Sequence, residues 1–270
     1  MAVAHPPFLY GTAWKEDATA GLVQEALAAG FRGIDTANQR KHYHEAGVGE
    51  GIRASGLPRA ELFLQTKFTS LNGQDHRLPY DAQAAPAVQV RQSFQSSLEH
   101  LHTDYLDSYV LHGPSARRGL PPQDWEVWGA MEELHRAKKT RHLGVSNVAA
   151  EQLDLLCSKA SVKPSFVQNR CFAVQGWDRE VRRICAEQGI VYQGFSLLTA
   201  NLDVLQAPLF REIAARAGAG IADVVFRFAQ QIGMLPLTGT TDPAHMREDL
   251  ACGRFTLTDD ELRRIEAAGE

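Results

Sequence analysis

Short apolar, β-rich runs recur along the chain, and each is followed by a stretch with helical spacing. The first four runs are FLYGTAW, FRGIDTA, LFLQTKF and DYLDSYVLH, followed by helical stretches at 18–30, 45–55, 87–102 and 123–138. The pattern continues as RHLGVSN, SFVQNR, IVYQGFS and MLPLTG, followed by 150–159, 178–188, 209–232 and 243–251. Parallel strands need crossovers of this kind, and strict βα repetition points to a parallel sheet covered on its outside. Eight such units within 270 residues fit a closed barrel better than an open sheet. The pattern therefore predicts an α/β fold, a (β/α)8 TIM barrel, with residues 1–270 forming a single domain. No linker, low-complexity tract or charge block divides the chain.

Local punctuation agrees with this reading. Leu22, Ala26 and Ala29 recur at helical spacing before Gly30, a natural residue just past a helix end. Asp242-Pro243 has the form of an N-cap followed by proline at the first helical position. Leu257 to Glu261 opens a short terminal helix whose first turn is acidic, which suits the helix dipole. The segment 70–86 is too long and turn-rich for a minimal βα loop. Like 113–124 and 197–208, it follows a strand and belongs on the C-terminal face of the barrel, where such folds carry their function.

Composition narrows the class. Hydrophobic residues make up 44% and charged residues 22%, ordinary values for a globular chain. A net charge of -4 gives no basic field, which argues against phosphate-driven nucleic-acid binding. Cys157, Cys171, Cys185 and Cys252 are scattered without a CxxC pair and read as reduced thiols, with Cys157 and Cys185 as small core residues. The first residues lack a basic, then apolar, leader, and no run is long enough to span a membrane. A cytoplasmic monomer or weak oligomer is the expectation.

The polar residues that end the apolar runs carry the chemistry. Asp35 ends FRGID, Lys67 ends LFLQTK and His112 ends DYLDSYVLH. Ser146-Asn147, Gln168-Asn169, Ser196 and Gly239-Thr240-Thr241 end later strands. A lone lysine at such a position is ordinarily a solvated rim residue. Several ionisable groups converging on one rim are different, because buried charges persist only when partnered. Carbonyl reduction needs a hydride at carbon and a proton at oxygen. A tyrosine can supply the proton, although its ordinary pKa of about 10 makes it a weak acid. A nearby ammonium stabilises the phenolate, a carboxylate keeps that ammonium charged, and a histidine can orient the carbonyl.

At these residues the chain resembles the aldo-keto reductases. GFRGIDTANQRKHYHEAGVGEGI, LFLQTKF, DYLDSYVLHGP, LGVSN, FVQNR and PLTGTT match the family's segments in order and across nearly the whole length. The resemblance implies a (β/α)8 barrel that binds NADPH in extended form, and no GxGxxG follows a strand here. It implies Asp35 as the lysine-orienting carboxylate, Lys67 as the ammonium and His112 as the substrate-orienting imidazole. The commoner spacing would put the tyrosine at position 40, which is Arg40. Extra residues ahead of Val48-Gly49, as in a family branch with QRKHYHEAGVG, make Tyr43 the acid instead. Ser146, Asn147 and Gln168 resemble the residues that hold the nicotinamide carboxamide, and Phe195 the ring that stacks on it, with a core phenylalanine as the bland reading.

The family's usual cations for the 2′-phosphate are replaced by Gly239 and His245. Thr240, Thr241, Arg247 and the helix start at 242–243 are the remaining candidates for phosphate, while Asp242 opposes an added negative charge. NADPH is the expected cofactor and NADH is not excluded. Trp14 is the substrate-pocket candidate; Trp125 and Trp128 read as packing, although one could edge the substrate mouth. His42 and His44 flank Tyr43, but two residues apart on a helix they would not share a face, so no metal site is expected. The end of the chain soon after the terminal helix leads us to expect an open pocket for small aldehydes, dicarbonyls or activated ketones. Two other readings compete: a non-catalytic nicotinamide-binding regulatory subunit or redox sensor, and a lyase or isomerase using Lys67 as a Schiff-base amine.

Overall fold

The computed structural model describes residues 3–269. Eight strands close into one barrel in chain order, each parallel to its neighbours, with the last returning to the first. They are β1 (Leu9–Gly11), β2 (Gly33–Asp35), β3 (Phe63–Phe68), β4 (Leu106–Leu111), β5 (Thr140–Ser146), β6 (Phe166–Arg170), β7 (Val191–Phe195) and β8 (Met234–Thr238). The helices of the first half are α1 (Thr19–Ala29), α2 (Glu45–Ser55), α3 (Pro86–His100) and α4 (Pro122–Arg136). The second half has α5 (Ala150–Lys159), α6 (Arg179–Gln188), α7 (Leu202–Leu205), α8 (Pro208–Ala217), α9 (Ile221–Gln231), α10 (Pro243–Leu250) and α11 (Asp259–Glu266). No helix among the described residues is long and apolar enough to cross a membrane.

The terminal signals act as the residues dictate. Gly30 takes φ 116° and its N–H reaches the Ala26 and Leu27 carbonyls, closing α1. The Asp242 carboxylate accepts the Ala244 N–H at 2.7 Å, and the Thr258 hydroxyl accepts the Glu261 N–H at 3.2 Å. One expected element divides. The stretch 209–232 is two helices, α8 and α9, because Gly218 turns left-handed at φ 60° and Asp223 caps the Gly220 N–H at 2.9 Å to start a new helix. Two glycines in the sequence GAG, each costing about 1 kcal/mol in a helix interior, make the break cheap.

Strand alternation sorts the side chains into two compartments. In β3, Leu64 and Phe68 face outward into the main core between sheet and helices, and the Thr66 hydroxyl donates to Glu45 of α2 at 2.5 Å. Phe63, Gln65 and Lys67 face the lumen. At the N-terminal end the lumen is plugged by Leu9, Phe63, Phe166 and Leu235, an apolar cluster separate from the main core. Above it lie Gln65, Gln168 and Gln193, whose amides bridge one another across the barrel at 2.8–3.0 Å. Asp35 and Lys67 occupy the C-terminal end. Bulky branched residues commonly fill such barrels; here an amide layer stands in the middle.

Candidate active site

The lumen opens at the strand C-termini into a cavity of roughly 880 Å³. Lys67 sits beneath its floor, fully buried and outside the lining. Its ammonium donates to both Asp35 oxygens at 2.8 and 2.7 Å and to the Thr36 carbonyl at 2.8 Å. Burial alone would lower its pKa, yet the Asp35 carboxylate holds it above the ordinary lysine value. With its amine enclosed and engaged in this way, Lys67 is poorly placed to form a Schiff base. Gln65 and Gln168 also donate to Asp35, at 2.7 and 3.0 Å, so the charge is enclosed by donors on several sides.

Tyr43 reaches this pair because the residues between Gln39 and Tyr43 fold into a tight turn. The Tyr43 N–H donates to the Gln39 carbonyl at 3.0 Å, and the Gln39 side chain donates to the Gly73 carbonyl at 2.6 Å. Arg40 is left exposed on the outside of the turn. His42 to His44 precede α2, so these histidines flank a loop, and the helical spacing expected of them does not apply. Lys67 Nζ is 5.2 Å from the Tyr43 ring centre, close enough to act on the charge of its hydroxyl, and the His112 ring meets the Tyr43 ring edge-on at 5.9 Å. Gly49 keeps α2 close to the end of α3, since a Cβ there would meet the His100 carbonyl at 1.9 Å. Burial pushes the Tyr43 hydroxyl above its ordinary pKa and the Lys67 ammonium offsets only part of that rise. The net depression expected from the ammonium is therefore absent, because desolvation is the larger effect. His112 is driven the other way, down to about 3, by burial and by Lys67 and His42 nearby, so its ring is neutral.

The remaining expected residues form the walls. Trp14, Ser146, Asn147, Gln168, Phe195 and Ser196 line the cavity. The Ser146 hydroxyl donates to the Gln168 carbonyl at 2.6 Å and the Asn147 amide to the His112 carbonyl at 2.8 Å. Trp14, Asn147 and Ser196 adopt left-handed backbone with φ of 61°, 51° and 56°. Gly239, Thr240 and Thr241, which follow β8, also line the cavity, together with His245, Glu248 and Asp249 of α10. Arg247 is exposed on α10 and lies outside the lining. It is one residue before Glu248 and two after His245, so helical geometry turns it away from the face they share. Trp128 is buried with its indole N–H on the Val162 carbonyl at 3.1 Å, and Trp125 donates to the Leu120 carbonyl at 3.0 Å. Both are packing residues outside the lining.

Other contributors were not singled out from the sequence. Lys15 is buried against the Gly239 carbonyl at 2.7 Å, and desolvation lowers its pKa to about 8. The Arg170 guanidinium lies 5.6 Å from the Phe195 ring centre. His42 stacks on Trp14 at 4.0 Å, and Trp14, 70% exposed, donates its backbone N–H to the His42 carbonyl at 2.7 Å. The position of Lys15 just past β1 is the signal that was available for it. The segment 70–86 lies at this face but supports the wall without lining the cavity, through the Tyr80 hydroxyl on the Thr69 carbonyl at 2.7 Å. Asp249 is buried, and among the described residues only the Thr238 hydroxyl, at 2.8 Å, is bonded to its carboxylate; burial raises its pKa to about 6. No group of His, Cys, Asp and Glu among the described residues is arranged to hold a metal ion.

Comparison with known proteins agrees with this architecture. A glyoxal reductase of Bacillus subtilis is 31% identical over 245 residues, covering 91% of this chain and 81% of its own length. A 9,11-endoperoxide prostaglandin H2 reductase of Trypanosoma cruzi is 30% identical over 255 residues, covering 93% and 83%. The crystal structure of an aldo/keto reductase from Brucella melitensis superposes with a TM-score of 0.84 at 27% identity, covering 97% of this chain and 95% of that one. All three of these relatives are named as reductases. Residues 9–270 match the aldo/keto reductase family, and the chain belongs to it.

Proposed function

We propose that this protein reduces small aldehydes and ketones to alcohols, with NADPH as the expected hydride donor and Tyr43 as the proton donor. The observation that carries this reading is the meeting of the Tyr43 ring with the Lys67 ammonium and the His112 ring at the cavity floor. The residues present suit a nicotinamide cofactor. Ser146, Asn147 and Gln168 offer amide and hydroxyl groups beside the Phe195 ring, while Lys15, Arg170 and Thr240 offer donors for phosphate along the cavity. When bound, the cofactor supplies the hydride that reaches the carbonyl carbon.

The chain's own residues manage the proton. Neutral His112 donates a hydrogen bond to the carbonyl oxygen and holds it toward Tyr43. As the oxygen gains negative charge, the Tyr43 hydroxyl transfers its proton, forming the alcohol and leaving a phenolate. Lys67, kept charged by Asp35, stabilises that phenolate until solvent returns the proton. A hydroxyl whose pKa is raised stays protonated through neutral pH, so reduction proceeds there, whereas alcohol oxidation, which needs the phenolate, accelerates as pH rises. Trp14 and His42 form an apolar, stacked edge for the substrate's body.

The test is cofactor-dependent reduction of an aromatic aldehyde by wild type and by Tyr43→Phe. The variant is expected to lose roughly 10²–10⁴-fold in turnover while binding cofactor normally. Unchanged turnover would remove Tyr43 from the role of acid. Separate titrations of NADPH and NADH, followed by fluorescence, assign the cofactor.

A further inference from the structure

Thr69, the residue after β3, stands behind His112. It is buried and takes no part in the cavity lining. Its Oγ1 lies 2.6 Å from His112 Nδ1. With Nδ1 facing the wall, Nε2 is the ring nitrogen that remains for the cavity. A neutral imidazole carries one proton, and the bond made by one nitrogen decides what the other presents. The Thr69 hydroxyl has no hydrogen-bond partner among the described residues other than His112 Nδ1, so its proton is satisfied only if it donates there.

The surroundings hold both partners still. The Thr69 carbonyl accepts the Tyr80 hydroxyl at 2.7 Å and the Gln74 amide at 3.3 Å, so the long 70–86 segment anchors this residue. The His112 N–H donates to the Phe68 carbonyl at 2.9 Å, tying the ends of β3 and β4 together. From the other side, the Asn147 amide donates to the His112 carbonyl at 2.8 Å.

We propose that Thr69 is a positioning residue whose hydroxyl donates to His112 Nδ1, holding the ring as the Nε2–H tautomer aimed at the substrate oxygen. The proposal rests on the carbonyl-reducing role given above. The opposite tautomer would present a lone pair to the carbonyl oxygen and repel it. Thr69 therefore acts on the substrate through the proton inventory of a ring 43 positions away in sequence.

The experiment uses the full chain labelled with 15N-histidine, with the His112 signal assigned from its loss in His112→Gln. Wild type and Thr69→Ser are expected to show Nε2–H, and Thr69→Val a mixture of tautomers. Loss of one net hydrogen bond of this kind predicts a fall in kcat/KM for an aromatic aldehyde of about tenfold in Thr69→Val. Cofactor affinity should stay unchanged and Thr69→Ser should recover the activity. If Thr69→Val folds poorly, Thr69→Ala reports the same ring signals. An Nδ1–H tautomer in wild type, or full Nε2–H occupancy and efficiency in Thr69→Val, would overturn the proposal. Should wild type reduce no carbonyl at all, the functional reading fails while the ring spectra still decide what Thr69 does.

Discussion

The two ends of the barrel lumen are made by the same strands with the same alternation, yet they hold opposite contents. Leu9, Phe63, Phe166 and Leu235 fill one end, and Asp35 and Lys67 fill the other, with glutamines between. Fully burying a large apolar side chain stabilises a fold by about 1.5–3 kcal/mol. A buried ion pair contributes little net stability, because desolvating both charges consumes most of their attraction. Depth of burial is thus equal at the two ends and its energetic meaning is not. One end holds the barrel closed, and the other keeps a charge ready beneath the cavity.

The sharpest way to break this contrast is Lys67→Met, which leaves Asp35 buried without its cation. The expected loss is about 3–5 kcal/mol of stability by urea unfolding, together with carbonyl reduction. A variant that unfolds like wild type would mean that Asp35 finds another route to neutrality. At the plugged end, Phe166→Ala should cost about 3–5 kcal/mol through the cavity it opens. Its kcat/KM per folded molecule should match wild type, and a drop there would show the two ends to be coupled.

A smaller effect comes from Asp249, a second buried carboxylate at the same face, which has a hydroxyl partner where Asp35 has an ammonium. Its carboxyl titrates at about 6 in the fold, against about 3.9 unfolded. The folded state therefore holds the proton more tightly between those values, and stability falls as pH rises through them, then stays lower. Asp249→Asn removes that penalty and should stabilise the protein by about 2–3 kcal/mol at pH 7, the gain vanishing below about pH 4. A gain that persists at low pH would trace to packing instead of charge.

The eight strands and the triad of Asp35, Lys67 and His112 were legible because each sits at the end of a short apolar run, a purely local signal. Tyr43 needed the resemblance, since its place depends on how a turn folds back over Lys67. The division of 209–232 was written in its Gly-Ala-Gly, and helical spacing alone would have turned Arg247 away from His245 and Glu248. The glutamine layer could have been read by taking every second residue of FLQTKF and VYQGF, but each glutamine there looks like an interruption until its partners across the barrel are known. Lys15 shared the signal of a polar residue just past a strand, but its partner Gly239, like the partner His112 of Thr69, lies far away in sequence and could not be read locally.

Trp14, Asn147 and Ser196 share left-handed backbone at the mouth, after β1, β5 and β7. Glycine adopts that conformation without steric cost, whereas side-chain-bearing residues are disfavoured there. All three side chains nevertheless line the cavity. In terms of selection, a chain chosen only for folding would gain from glycine at these positions, whereas one that uses the cavity wall would lose three side chains from it. On the function proposed above, the mouth of the barrel is where thermostability and activity are traded against each other, and a stabilising redesign that puts glycine at those three sites would strip side chains from the cavity wall.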